Sequence, residues 1–190
     1  TSGCDCIVDL YPLISDFFQR HLETTSLAMD GLAEATGAAV KQAAEAILNE
    51  RKLFSIGLGA DCAGATALVS LLHRGVLRER PSLPVVKLAE HHIESAETGV
   101  YWAGQQIQAL GQQGDVAFVF AASIGEPEIQ RLAIALEQRQ VGAIWLGNRG
   151  PGLSMTVVDE NIETRLTLNG ALAICLARLI DAHTFGPLGD

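Results

Sequence analysis

The stretch Gly57-Leu58-Gly59-Ala60-Asp61-Cys62-Ala63-Gly64-Ala65 follows the short apolar run Leu53-Phe54-Ser55-Ile56. A glycine-rich turn between a strand and a helix is an anion-binding arrangement, because backbone N–H groups at a helix N-terminus converge on a phosphate. Here the residue facing that place is Asp61, and a carboxylate only accepts hydrogen bonds. A second turn, Ala121-Ala122-Ser123-Ile124-Gly125-Glu126, carries one hydroxyl, Ser123, and another carboxylate, Glu126, at a helix start. Two unit charges about 4 Å apart repel by roughly 4 kcal/mol at an effective dielectric near 20. A micromolar affinity is worth about 8 kcal/mol in total. The cleft formed by Gly57, Gly59, Asp61, Ser123 and Glu126 therefore reads as a phosphate-type arrangement whose acids repel a phosphate. Asp61 and Glu126 are placed to cap their own helices and to take the anion's place. An uncharged or cationic ligand, such as an amine, is the other chemistry these acids fit.

Other reactive residue types are scattered. His91 and His92, with Glu90 and Glu94, supply metal-ligand and acid–base types. Adjacent helical residues point about 100° apart, so a solvated loop is the plainer reading. Cys62 stands beside Asp61 at a helix start but has no visible base partner. Cys62 and Cys175 read as small core residues in helices. Cys4 and Cys6 are too closely spaced for a zinc knuckle, and no disulfide framework is expected in a domain of this size. Phe185, in Ala182-His183-Thr184-Phe185-Gly186, lies beyond the last apolar helix stripe; it either tucks onto the body or serves as a partner anchor, a role aromatics favour. No metal or cofactor is expected.

The elements that must position these residues alternate. Residues 8–51 read as two helices. The first carries Leu10, Leu13, Ile14, Phe17 and Phe18 at three-to-four spacing, and the second, from about Ser26, carries Leu32, Ala35, Ala39, Val40, Ala43, Ala44 and Ile47. Strands are expected at Leu53–Gly57, Val85–Leu88, Val116–Ala121, Ala143–Gly147 and Met155–Val158. Helices fall between them, to about Arg78, over Gly99–Leu110 and Pro127–Gln140, with a last one at Ile162–Ala182. Apolar strands spaced by such helices predict an α/β fold, a parallel sheet covered on both faces as a three-layer α/β/α sandwich. Ligands in such sheets bind beyond the strand carboxyl ends at the switch in strand order, which singles out loops 57–63 and 121–127. Residues 1–190 are expected to form one domain, helices over 1–51 and an α/β core over 52–190.

The chain of 190 residues is 48% hydrophobic, enough for one full core. Its formal charge of −9 argues against direct binding of nucleic acid. Arg74, Arg78 and Arg80 form the densest cationic stretch, too small to reverse that field. No apolar run reaches the roughly 18–20 residues of a membrane span. A reducing, cytoplasmic setting is the expectation. The first two helices carry more apolar surface than one sheet face can bury, so a homo-oligomer is expected.

Glu79-Arg80-Pro81-Ser82-Leu83-Pro84, Ala109-Leu110-Gly111 with Gly114-Asp115-Val116, the first glycine loop, and Cys175-Leu176-Ala177-Arg178-Leu179-Ile180-Asp181 together resemble the sugar isomerase (SIS) domain family. Within it they resemble the phosphoheptose isomerase branch, which includes the DnaA initiator-associating proteins. The resemblance implies a flavodoxin-like five-stranded parallel sheet, an N-terminal helical arm, and assembly into dimers or tetramers. It also implies either sugar-phosphate (carbohydrate derivative) isomerisation or an adaptor role binding the replication initiator DnaA. The family's first loop resembles Gly-Asn-Gly-Gly-Ser and its second Ser-Thr-Ser-Gly-Asn-Ser. Here Leu58 stands for the Asn, Asp61 for the phosphate-facing Ser, and Glu126 for the last Ser. The positions that resemble the family's proton-transfer and metal-binding residues are Ala67, Leu71, Leu166 and Ile174, all apolar, and none can move a proton or hold a metal. The resemblance with these departures implies a non-catalytic protein acting through protein contacts, with Phe185 matching an aromatic of the DnaA-associating branch.

Overall fold

The computed structural model describes residues 9–76, 78–88, 95–156 and 161–186. Cys4, Cys6, Glu90, His91, His92 and Glu94 lie outside the described residues. The elements run α1 (Tyr11–Leu48), β1 (Leu53–Gly57), α2 (Cys62–Arg74), β2 (Val85–Leu88), α3 (Ala96–Leu110), β3 (Val116–Phe120), α4 (Glu126–Gln138), β4 (Gly142–Leu146), β5 (Leu153–Met155) and α5 (Ile162–Phe185).

The five strands pair entirely in parallel, in the order β2-β1-β3-β4-β5. Strands β1 and β3 are buried at every position, as a sheet covered on both faces requires. One face packs α1, α2 and α5 around Leu68, Leu72, Phe118, Phe120, Ile144 and Leu176. The other packs α3 and α4 around Phe54, Val119, Ile107, Leu132 and Trp145. The expected three-layer α/β arrangement is the one observed.

Where two N-terminal helices were expected, one helix of 38 residues runs from Tyr11 to Leu48. The segment between Phe18 and Ser26, where the first expected helix gives way to the second, is itself helical. Its hydroxyls bond back along the helix: Thr24 Oγ1 donates to the Arg20 carbonyl at 2.8 Å, and Thr25 Oγ1 to that of His21 at 2.7 Å. Hydroxyls satisfied in this way stop competing with the helical backbone. The helix ends in a Schellman turn, with Glu50 N donating to Ile47 O (3.1 Å) and Arg51 N to Ala46 O (2.8 Å). Glu50 takes the left-handed position at φ 59° that glycine normally fills. Helix α4 ends the same way over Gln140, at φ 53°.

Helix α5 spans 24 residues and is the one described helix long and apolar enough to cross a membrane. It is a core helix here, burying Leu168, Leu172, Leu176 and Ile180 against α1 and α2. The fifth strand, expected at Met155–Val158, begins two residues earlier, at Leu153, and runs to Met155; Val157 and Val158 lie outside the described residues.

Candidate functional site

The strand order switches between β1 and β3, so the loops after these two strands face each other across a crevice. The β1 loop turns tightly. A Cβ on Gly57 would come within 2.5 Å of the Asp61 carbonyl oxygen, and Gly59 has φ +56°. Both positions therefore need glycine. Leu58 is 2% exposed and belongs to the α3–α4 side core.

The turn delivers the side chain of Asp61 into the crevice, where the residue is 1% exposed. One carboxylate oxygen, Oδ1, accepts from the backbone N–H of Ala122 at 3.1 Å and from Asn169 Nδ2 at 3.2 Å. The other, Oδ2, accepts from the N–H of Ser123 at 2.7 Å and from its hydroxyl at 2.5 Å. Four donors thus converge on one carboxylate, which is how a buried charge is tolerated. Ser123 Oγ also lies 3.1 Å from the Leu58 carbonyl, closing the contact between the two loops.

Gly57, Gly59, Asp61 and Ser123 are brought together, and Glu126 is not part of their network. Glu126 is exposed in the first turn of α4, and its Oε1 accepts from Gln130 Nε2 at 2.6 Å. The expected helix capping by the two acids is corrected as well. Asp61 stands at the N-cap of α2 with helical φ −68° and ψ −15°, and its side chain bonds the neighbouring loop rather than its own helix. The N-cap of α4 is Gly125, which has no side chain to offer. Glu126 acts on α4 through its contact with Gln130 and through its charge near the positive helix end.

Asn169 was not singled out from the sequence. It is 2% exposed on α5; its Nδ2 also donates to the Leu146 carbonyl at 3.3 Å, and its Oδ1 has no partner. The signal for it was an amide in the apolar run Thr167-Leu168-Asn169-Gly170-Ala171-Leu172, since a polar group buried mid-helix needs a partner.

Ala67 and Leu71 pack on the α1–α2–α5 core, Leu166 is half-buried, and Ile174 is 53% exposed. Among the described residues no group of three or more His, Cys, Asp or Glu side chains is arranged to hold a metal. Cys62 is half-buried, with its thiol 2.9 Å from the Gly57 carbonyl. Cys175, expected in the core, is exposed, on the face of α5 that borders α1.

Phe185 is 41% exposed at the end of α5. The guanidinium of Arg80 sits 5.4 Å from its ring centroid, a cation–π contact. Arg80 also pairs with buried Asp181 and donates to the Leu72 carbonyl at 2.8 Å. Arg78 donates to the carbonyls of Phe185 and Gly186. Two arginines therefore hold the C-terminal ends of α2 and α5, where helix carbonyls lack partners.

No family model matches the chain. It is 27% identical over 194 residues to the phosphoheptose isomerase of Methylococcus capsulatus, covering 91% of this chain and 96% of that one. It is 24% identical over 185 residues to the DnaA initiator-associating protein DiaA of Erwinia tasmaniensis, covering 88% and 93%. A phosphoheptose isomerase structure from Francisella tularensis shares its fold, with a TM-score of 0.77 at 22% identity over 92% of this chain and 99% of that one. In fold and in these relatives, the chain is similar to the sugar isomerase (SIS) domain family, in a phosphoheptose isomerase- and DiaA-like relationship.

Proposed function

We propose that the chain is a non-catalytic SIS-domain protein: a cytoplasmic, homo-oligomeric adaptor that binds the replication initiator DnaA. The observation that carries the non-catalytic part is the Asp61 carboxylate, which occupies the donors of Ala122 and Ser123 at the switch point. A sugar phosphate would need those same donors. Apolar side chains at 67, 71, 166 and 174 leave no acid or base at the positions the family resemblance assigns to isomerisation.

The partner comes from the DiaA relative, whose name states its association with the initiator. Phe185, half-exposed and anchored from behind, is the contact we assign to it. Self-association is supported by α1. Its stripe of Leu10, Leu13, Ile14 and Phe17 continues the helix face that later buries Ala28, Leu32, Ala39 and Ala43, yet these four are 41–60% exposed. A second copy covering that stripe would make the adaptor multivalent, holding several initiator molecules by effective concentration rather than by one tight contact.

The test is twofold. Purified protein is assayed for sugar-phosphate isomerisation, and immobilised protein is used to capture DnaA from the same organism. No turnover together with capture supports the reading. Turnover of a sugar phosphate sinks the non-catalytic half, and absence of capture sinks the adaptor half.

A further inference from the structure

We propose that the cavity at the amino-terminal end of the sheet, between the end of α1 and the turns that lead into β3 and β4, is a binding site for a free polar α-amino acid. It lies at the opposite end of the strands from the switch-point crevice, and it does not rest on the function proposed above.

The cavity measures about 640 Å³, within the range of small-molecule sites. Val116 and Gly142, the first residues of β3 and β4, line it at the sheet. Gln42 and Glu45 come from the last turns of α1, and Arg51 follows that helix. Gln113 comes from the turn before β3, and Gln140 from the turn after α4. Two glycines set these side chains in place. Gly114 has φ +89°, and a Cβ there would stand 3.5 Å from Cγ and Nε of Arg51, whose side chain lies along the turn. Gly142 leaves space for the Gln42 amide, which a Cβ there would strike.

The chemistry of the lining selects the ligand. Glu45 and Arg51 carry opposite charges into one cavity, yet neither forms an ion pair with the other or with any described residue. The side-chain amides of Gln42, Gln113 and Gln140 likewise have no hydrogen bond to a described residue. Asp115, the remaining charge on the lining, is already engaged by Lys52 and by two backbone N–H groups. One unpaired cation, one unpaired anion and three amides that both donate and accept are therefore presented together. A neutral zwitterion with a polar side chain matches that set. The guanidinium fork takes the carboxylate, the Glu45 carboxylate accepts from the ammonium, and the amides meet the side chain. A phosphate or a dicarboxylate would set a like charge against Glu45, and an uncharged sugar would leave both charges unpaired.

Gln140 adds an independent observation. It sits at φ 53°, where glycine is unstrained and an L side chain is not. Its amide has no partner within the described fold, so the fold gives no reason to keep a side chain there. Strained positions cluster where a ligand uses them, and this amide faces the cavity.

The experiment titrates L-glutamine into the full chain by calorimetry and by melting temperature. Glutaramate, which lacks the ammonium, and L-norvaline, which lacks the amide, are the comparisons. L-Glutamine should bind with a Kd of about 1 mM or tighter and raise the melting temperature saturably. Each comparison compound should bind at least about tenfold more weakly. Arg51→Gln and Glu45→Gln should each weaken L-glutamine binding about tenfold. Gln140→Gly should weaken it about threefold while melting no lower than wild type, an outcome that loss of folding does not produce. Absence of saturable L-glutamine binding overturns the proposal. Binding that all three variants retain overturns it as well, because the ligand then sits elsewhere. Glutaramate or L-norvaline binding as tightly as L-glutamine overturns the assigned ligand class.

Discussion

Arg78 donates through Nη1 to the carbonyl of Phe185 at 3.2 Å and through Nη2 to that of Gly186 at 2.5 Å. This contact ties the end of α5 to the turn after α2, 107 residues earlier in the chain. The proposed partner contact is thus displayed on a fixed helix end and not on a loose tail. Phe185→Ala should lose DnaA capture in a pull-down while keeping the wild-type melting temperature to within a few degrees. Arg78→Ala should weaken capture and raise amide hydrogen exchange at residues 183–186. Capture unchanged in Phe185→Ala would remove that residue from the interface.

The exposed stripe of α1 makes a separate prediction. Phe17→Glu combined with Leu13→Glu places charges on the face expected to be covered by a second copy. Light scattering should show a self-associated wild type and a smaller species for the double variant. Equal masses would refute the role of this stripe.

Asp115 is 1% exposed and accepts from Lys52 N at 3.0 Å, Gln112 N at 2.8 Å and the Lys52 ammonium at 2.7 Å. It joins the start of β1 to the turn before β3. Asp115→Ala leaves those donors unpaired at the sheet's lower edge and should cost about 3 kcal/mol in a denaturant titration. A loss below about 0.5 kcal/mol, the range of ordinary surface changes, would show that water replaces the carboxylate.

Gln140 holds the left-handed position that ends α4, at φ 53°. An L side chain there is strained by roughly 1 kcal/mol, and glycine is not. Gln140→Gly should therefore raise stability, less the extra entropy glycine carries in the unfolded chain. A fall in melting temperature would mean that the Gln140 side chain contributes more than its strain costs.

The sheet was legible because its first four strands are largely apolar runs of four or five residues, and burial on both faces of the central strands enforces that pattern. The switch-point crevice followed from the same order, and with it Gly57, Gly59, Asp61 and Ser123. What the sequence did not show was direction. Asp61 and Glu126 look alike, each an acid at a helix start, yet one turns across to the next loop and the other lies along its own helix. That choice depends on the turn at Gly59 and on Asn169 arriving from a helix more than a hundred residues away. The division of residues 8–51 into two helices failed for a local reason, since hydroxyls that can interrupt a helix can also bond back along it. Cys175 was misplaced because a small residue fits either face of an apolar helix.

The outer half of α1 bears on how this protein comes into being. From Tyr11 to Leu27 no residue is buried, and the first buried side chain is Ala28. A helix of that length is marginal in water when it has nothing to pack against. Under the proposed self-association, the arm's order is a property of the population and not of one molecule. Dilution should lower ellipticity before it touches the sheet, and the body should fold as a unit whose last turns are completed only on meeting a neighbour.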